Sequence, residues 1–248
     1  MAGDRSAETR ATGTIRTLSV LMPVHNEART LREIVRRVLA APIEQRIDLI
    51  IVDDGSTDGS SELIDELAAA DDRVRAIHHD RARGKGAAIR TAIKAIAGQA
   101  AIIQDADLEY DPADYPALLG PLLSGEADAV FGTRFARGGR RQVHRFWHMQ
   151  ANRLLTLLCN MLSGLSLTDM ETCYKAVRAD VLGAVPLVST RFELEVELTM
   201  RLARHDLRIY EVPISYHGRT RADGKKIGVL DGLHALWAIL RFGLFDRR

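Results

Sequence analysis

The sequence predicts an α/β fold: one mostly parallel sheet with helices on both faces, in a single domain. Three observations carry this expectation. Strand-like and helix-like segments alternate strictly over about the first 130 residues. The strand candidates are short apolar runs, several rich in β-branched residues. The unusual polar clusters, at Pro23 to Glu27, Asp53 to Asp58, Asp105 to Glu109 and Gly132 to Phe135, each follow a strand candidate. In open parallel sheets that end of the strand is where ligands bind.

The elements follow in chain order. Leu18 to Met22 predicts a buried strand stopped by Pro23. Thr30-Leu31-Arg32-Glu33 has the form of a capping box, followed by Leu31, Ile34, Val35, Val38 and Leu39 at helical spacing. Ile47 to Val52 predicts the second strand, then a helix with Leu63, Ile64 and Leu67 on one face. Val74 to Ile77 is the third strand. Ala87 to Ala97 is a helix with Ile89, Ile93 and Ile96 inward. Ala100 to Ile103 makes the fourth strand. Pro112, after Asp111, suits the first turn of a helix reaching about Leu123. Ala127 to Phe131 is the fifth strand.

The second half is less regular. Arg137 to Arg145 is a basic, glycine-containing loop, and Phe146 to Leu162 predicts a long helix. Met170 to Val177 and Leu207 to Val212 are strand candidates, and Phe192 to His205 ends as a helix. Ile227 to Phe245 predicts an amphipathic helix with Leu230, Leu233, Trp237, Leu240 and Leu244 on one stripe. The expected organisation is a disordered tail at 1–17, then one continuous domain. Its 18–135 half would bind a ligand at the strand ends, and its 136–248 half would complete the site.

Bulk properties narrow the classes. The 248 residues are 46% apolar and 27% charged, as in an ordinary globular domain. A net charge of +1 argues against a general nucleic-acid binder. Cys159 and Cys173 have no metal-ligand spacing and are expected to be small buried hydrophobes in a reducing compartment. The polar head lacks a signal-peptide core. The longest uncharged run, between Arg153 and Asp169, is shorter than the roughly 20 residues of a membrane span. The expected location is cytoplasmic, with a peripheral position on the inner membrane face open.

Chemistry centres on Gln104-Asp105-Ala106-Asp107-Leu108-Glu109. In an extended chain, alternate side chains point the same way, so Asp105, Asp107 and Glu109 would converge just past the fourth strand. Such hard oxygen donors suit Mg²⁺ or Mn²⁺, whose remaining positions a substrate phosphate can fill. A solvated acidic turn before the next helix explains the same residues. Asp53-Asp54-Gly55-Ser56-Thr57-Asp58 fits an Asx-type turn and helix cap, or carboxylates that accept hydrogen bonds from a base or ribose. Arg83-Gly84-Lys85-Gly86 opens a helix and fits either an anion site or a flexible basic turn.

Taken in order, these motifs resemble the family 2 glycosyltransferases with the GT-A fold. The likeness is to the branch of dolichyl-phosphate mannosyltransferase and bacterial polyprenyl-phosphate glycosyltransferases. It continues through Thr168 to Lys175, Arg191-Phe192-Glu193, Glu211 to Tyr216, Asp223 to Gly228 and Asp231-Gly232. The resemblance implies a nucleotide-sugar pocket lined by Pro23, Asn26 and Glu27, with Asp53 and Asp54 near the base and ribose and Lys85 near the nucleotide. It implies that Asp105 and Asp107 hold a divalent cation on the donor diphosphate, with Glu109 also facing the metal. It places Arg134 at the acceptor or donor phosphate. Arg219, Arg221, Lys225 and Lys226 would lie on a loop closing over the site.

Family members invert, and a polyprenyl phosphate acceptor is implied. Such a phosphate is already anionic near neutral pH, with a second pKa of about 6, and needs cations more than a base. The basic loop of Arg137, Arg140, Arg141 and Arg145 favours it. A hydroxyl acceptor would instead need a general base, with Asp169, Glu193 and Glu195 as candidates. A sugar nucleotidylyltransferase is the rival enzyme class, but its Gly-Thr-Arg loop would follow the first strand, not the fifth. The final helix is expected to pack on the domain or on a second copy, with a membrane interface as the other reading.

Overall fold

The computed structural model describes residues 14–135, 146–218 and 229–246. The basic loop, the late loop with Arg219, Arg221, Lys225 and Lys226, and most of the head lie outside them.

Seven strands form one sheet: β1 (Thr17–Val24), β2 (Arg46–Asp53), β3 (Val74–His78), β4 (Ala100–Ile103), β5 (Ala129–Thr133), β6 (Lys175–Arg178) and β7 (Ile209–Pro213). Their spatial order is β3-β2-β1-β4-β6-β5-β7, and all pairs are parallel except those of β6, which runs against β4 and β5. The chain adds β2 and β3 on one side of β1, then crosses back to place β4 on the other. This reversal opens a crevice beyond the carboxyl ends of β1 and β4. Both Pro23 to Glu27 and the acidic triplet lie at its lip.

Helices α1 (Ala28–Leu39), α2 (Ser60–Ala70), α3 (Lys85–Ile93) and α4 (Tyr115–Leu123) connect these strands. Leu31, Ile34, Val35 and Val38 of α1 are all at most 1% exposed, and burying each such side chain contributes about 1.5–3 kcal/mol. The second half supplies α5 (Phe146–Ser163), α6 (Ala179–Ala184), α7 (Leu194–Leu202) and α8 (Val229–Leu240), which runs on as a wider turn over Arg241–Phe245.

Three local expectations are corrected. Pro23 does not stop β1, which continues to Val24. Leu21 O accepts from Gln104 N, so Pro23, two residues on, turns its backbone to the same side, where β4 has already ended. A missing N–H costs nothing there. Thr30 does not cap α1, which starts at Ala28; its hydroxyl reaches across the crevice to Ala106 O at 2.7 Å. The strand within Met170 to Val177 is only β6, because the preceding residues turn to approach β4 from the opposite direction.

The predicted stripe of the last helix is not its packed face. Leu233, Trp237, Leu240 and Leu244 are 57%, 58%, 38% and 42% exposed, whereas Ala235, Ala238, Ile239 and Phe242 are buried. Small residues let the helix approach closely, and Gly243 lies so near Leu162 of α5 that a Cβ there would sit 2.7 Å from Leu162 Cδ1. Among the described residues no helix is long and apolar enough to cross a membrane.

Candidate active site

The loops after β1 and β2 are stitched into one wall of the crevice. Asn26 adopts a left-handed backbone (φ 57°), which Asn tolerates better than most residues. Its amide N donates to Ser56 Oγ at 3.0 Å, and its Oδ1 accepts from Thr57 N at 2.8 Å. Glu27 N donates to Ser60 Oγ, and Ala28 N to Asp58 Oδ2. The acids expected near a nucleotide are occupied by the protein's own loops. Asp53 Oδ1 accepts from Ser56 N, and its Oδ2 faces His78 Nδ1 at 3.3 Å. Burial works to raise the Asp53 carboxyl, but hydrogen bonds from Ser56 and His78 outweigh it and hold it below the usual range. Asp54, 4% exposed, contacts His79 Nδ1 at 2.8 Å and accepts from Arg83 N at 2.9 Å and Gly84 N at 2.7 Å.

The glycines beside Lys85 have a similar internal reason. A Cβ on Gly84 (φ 98°) would lie 2.2 Å from Thr190 O, and one on Gly86 2.5 Å from Ser189 O. The backbone they admit is the segment before α7, and Ala87 N donates to Thr190 O.

The acidic triplet departs from the extended geometry expected of it. β4 ends at Ile103, and Leu108 has φ 62°, so the alternation that would have converged three carboxylates is broken. Asp105 turns to Lys85, whose Nζ is 2.8 Å from Oδ1 and 3.1 Å from Oδ2. Asp107 Oδ1 accepts from Glu109 N, and Glu109 Oε2 accepts from Tyr216 OH at 2.7 Å. Among the described residues no three His, Cys, Asp or Glu side chains are gathered as a metal site. The donor set still fits a hard divalent ion in kind. Asp105 and Asp107 are half-buried carboxylates on the lip of the crevice, and such oxygens are the donors Mg²⁺ and Mn²⁺ take.

Opposite them, Arg134 and Asp169 form a fork. Arg134 Nε and Nη2 donate to Asp169 Oδ2 and Oδ1, both at 2.7 Å, and Arg134 N adds a third bond at 3.1 Å. Asp169 is fully buried and is also contacted by Asn152 Nδ2 at 3.1 Å. Burial would raise its carboxyl, but Arg134 more than offsets this and holds it below the usual carboxylate range. A carboxylate so committed is a poor general base. Glu195, another candidate base, lies between two ammonium groups, Lys175 Nζ at 2.6 Å and Lys85 Nζ at 3.2 Å. Glu193, just before α7, makes no side-chain hydrogen bond or ion pair among the described residues.

Two features escaped the sequence reading. Gln104, fully buried, accepts from Tyr115 OH at 2.8 Å and Tyr174 OH at 2.7 Å, and donates to Asp105 O. This fixes the backbone from which Asp105 projects. Glu171 has a buried Oε1 with no hydrogen-bond partner among the described residues. Burial first, and the Glu195 carboxylate second, push its pKa up to about 7. A polar residue directly after β4 was legible at Gln104; nothing in the sequence marked Glu171 as buried without a partner. Both cysteines are buried and free of disulfides.

The model of the family described as "Glycosyl transferase family 2" matches residues 19–185, spanning every element of this wall up to β6. The chain is a family 2 glycosyl transferase. This glycosyltransferase is 31% identical over 239 residues to the undecaprenyl-phosphate mannosyltransferase of Micrococcus luteus, covering 94% of this chain and 96% of that one. It is 32% identical over 235 residues to the polyprenol monophosphomannose synthase of Mycolicibacterium smegmatis, covering 92% and 86%. Its fold is the expected GT-A fold. Glucosyl-3-phosphoglycerate synthase from Mycobacterium tuberculosis, solved with Mn²⁺, uridine diphosphate and phosphoglyceric acid, superposes with a TM-score of 0.66 at 21% identity, covering 100% of this chain and 86% of that one.

Proposed function

We propose that this glycosyltransferase is metal-dependent and inverting, and moves a sugar from a UDP- or GDP-sugar to a polyprenyl phosphate. The observation that carries the reading is the near full-length likeness to two enzymes named for polyprenyl-phosphate acceptors. A phosphate oxygen of the acceptor attacks the anomeric carbon from the face opposite the diphosphate. The sugar–oxygen bond to the nucleotide breaks, and the diphosphate leaves with the electron pair. Asp105 and Asp107 would hold the divalent ion, which when bound supplies Lewis-acid stabilisation to the leaving group. The structural neighbour was solved with Mn²⁺ and uridine diphosphate together, which supports this cofactor.

This chain's own residues do the rest. Asp169 fixes the Arg134 guanidinium through two of its five N–H donors, Tyr216 also hydrogen-bonds it, and the positive charge so held suits an anion. Pro23, Asn26 and Glu27 shape the donor side. A phosphate acceptor also fits the ion pairing of Asp169 and Glu195, since no strong base is then required.

The acceptor's lipid nature gives the exposed apolar side chains a purpose. Leu154, Leu157 and Met161 on α5, and Leu233, Trp237 and Phe245 at the C-terminal helix, are each more than half exposed. α5 packs on α8 and also carries Asn152, which contacts Asp169. Peripheral docking of these faces on a bilayer supports delivery of the acceptor. Leu157→Asp with Trp237→Ser should reduce sedimentation with anionic vesicles by roughly tenfold while leaving donor hydrolysis intact; equal sedimentation would refute the docking.

The decisive assay supplies UDP- and GDP-sugars with Mg²⁺ or Mn²⁺, with and without a short-chain polyprenyl phosphate. Metal-dependent formation of a sugar-phospho-polyprenol is expected. Transfer only to hydroxyl acceptors, turnover in excess chelator, or pyrophosphate release from a nucleoside triphosphate and a sugar phosphate would overturn the reading.

A further inference from the structure

Four side chains of alternating charge run inward from the crevice: Asp105, Lys85, Glu195 and Lys175. Lys85 Nζ stands 2.8 Å from Asp105 and 3.2 Å from Glu195, and Glu195 is 2.6 Å from Lys175. Exposure falls along the row, from 23% at Asp105 through 13% and 6% to 0% at Lys175. Lys175 is satisfied within this row: Glu195 balances its charge, and the carbonyls of Met170 and Thr172 accept its other protons. Lys85 is therefore a second buried cation, and its close partner is Asp105. That carboxylate is one of the two assigned above to the divalent ion. An ammonium and a divalent cation held by one carboxylate repel each other, so each weakens the other's hold.

We infer that Lys85 is a built-in counter-ion of Asp105 that competes with the divalent cation, and that Glu195 is the second seat for its charge when the cation binds. The inference rests on the metal reading of Asp105 and Asp107. The move it needs is small, because Nζ already lies between the two carboxylates. The Sγ of Cys173 at 3.6 Å and the Phe192 ring at 6.0 Å bound the space on other sides. Glu195 is thereby a positioning residue that acts through Lys85.

The test is Mn²⁺ binding to the full chain without donor, with free Mn²⁺ followed by electron paramagnetic resonance and folding by thermal unfolding. Lys85→Gln should bind Mn²⁺ about tenfold more tightly than wild type, since removing an adjacent opposite charge changes a carboxylate's affinity for a cation by at least about that factor. Lys85→Arg, which keeps the charge, should stay near wild type. Glu195→Gln should bind more weakly, because Lys85 is then committed to Asp105, and this weakening should vanish in the Lys85→Gln background. If Glu195→Gln does not fold, the two Lys85 variants decide. Wild-type binding with unchanged or weaker affinity in folded Lys85→Gln overturns the inference, as does equal tightening in Lys85→Arg. Mn²⁺ binding by neither wild type nor Lys85→Gln removes the metal reading and this inference with it. Binding by Lys85→Gln alone supports both.

Discussion

Replacing Glu171 by Gln should flatten the fall in stability between about pH 4.5 and pH 7. The ordinary carboxyl value is 4.5, and burial together with the Glu195 carboxylate lifts Glu171 to about 7. Between these values the folded protein keeps a proton that the unfolded chain has released. Stability contributed by this group is therefore full below the unfolded value and is lost as pH rises to the folded one. A shift of about 2.5 units corresponds to about 3 kcal/mol as a ceiling, at ~1.4 kcal/mol per unit. Gln has nearly the same shape and does not titrate. It brings its own cost, since its amide also lacks a partner at the site of Oε1, but that cost of about 1–3 kcal/mol does not vary with pH. The diagnostic is thus the difference between the two pH profiles, measured by urea unfolding at several pH values with constant m. The variant should gain about 1–3 kcal/mol relative to wild type across this interval. Parallel profiles would show that Glu171 is ionised in the folded state and that the account of its surroundings is mistaken.

Gly86→Ala should destabilise the fold by about 2 kcal/mol or more, because the added Cβ meets Ser189 O at 2.5 Å, backbone that cannot turn aside; an unchanged melting temperature would contradict this packing. Gln104→Leu leaves two buried tyrosine hydroxyls without their acceptor and should cost about 2–4 kcal/mol in urea unfolding. Asp107→Ala should lower sugar transfer at least about a hundredfold with the thermal midpoint within a few degrees of wild type, as removal of a transition-state charge stabiliser implies. Full activity in that variant would remove Asp107 from the site.

The alternation of strands and helices was readable because Leu18 to Met22, Ile47 to Val52 and Ala100 to Ile103 are apolar apart from Ser19 and Asp48, which bond to each other, and burial on both faces demands such runs. The site was readable as a set of strand-end clusters, since topology gathers such ends whatever their detail. The roles within it were less so. Asp54 and Gly84 look like ligand-binding residues in sequence, yet each meets a demand of the backbone: one gathers the amides of Arg83 and Gly84, the other gives room to Thr190. Local sequence carries no record of partners about thirty residues away for Asp54 and about a hundred for Gly84. The same limit misled the last helix. An apolar stripe indicates that a surface wants cover, but Ala235 and Ala238, weak in any hydrophobic pattern, made the closer fit.

The sheet order has a consequence for anyone who would recombine this enzyme with its relatives. β5 comes from the first half of the chain, yet both of its neighbours, β6 and β7, come from the second. A fragment cut after Phe135 would strip β5 of both ladders and leave β4 bare along one edge, inviting self-association. Donor and acceptor specificities are therefore not interchangeable cassettes divided at that point. Chimeras that exchange single strand-end loops, and leave the interleaved strands untouched, are the ones this architecture allows.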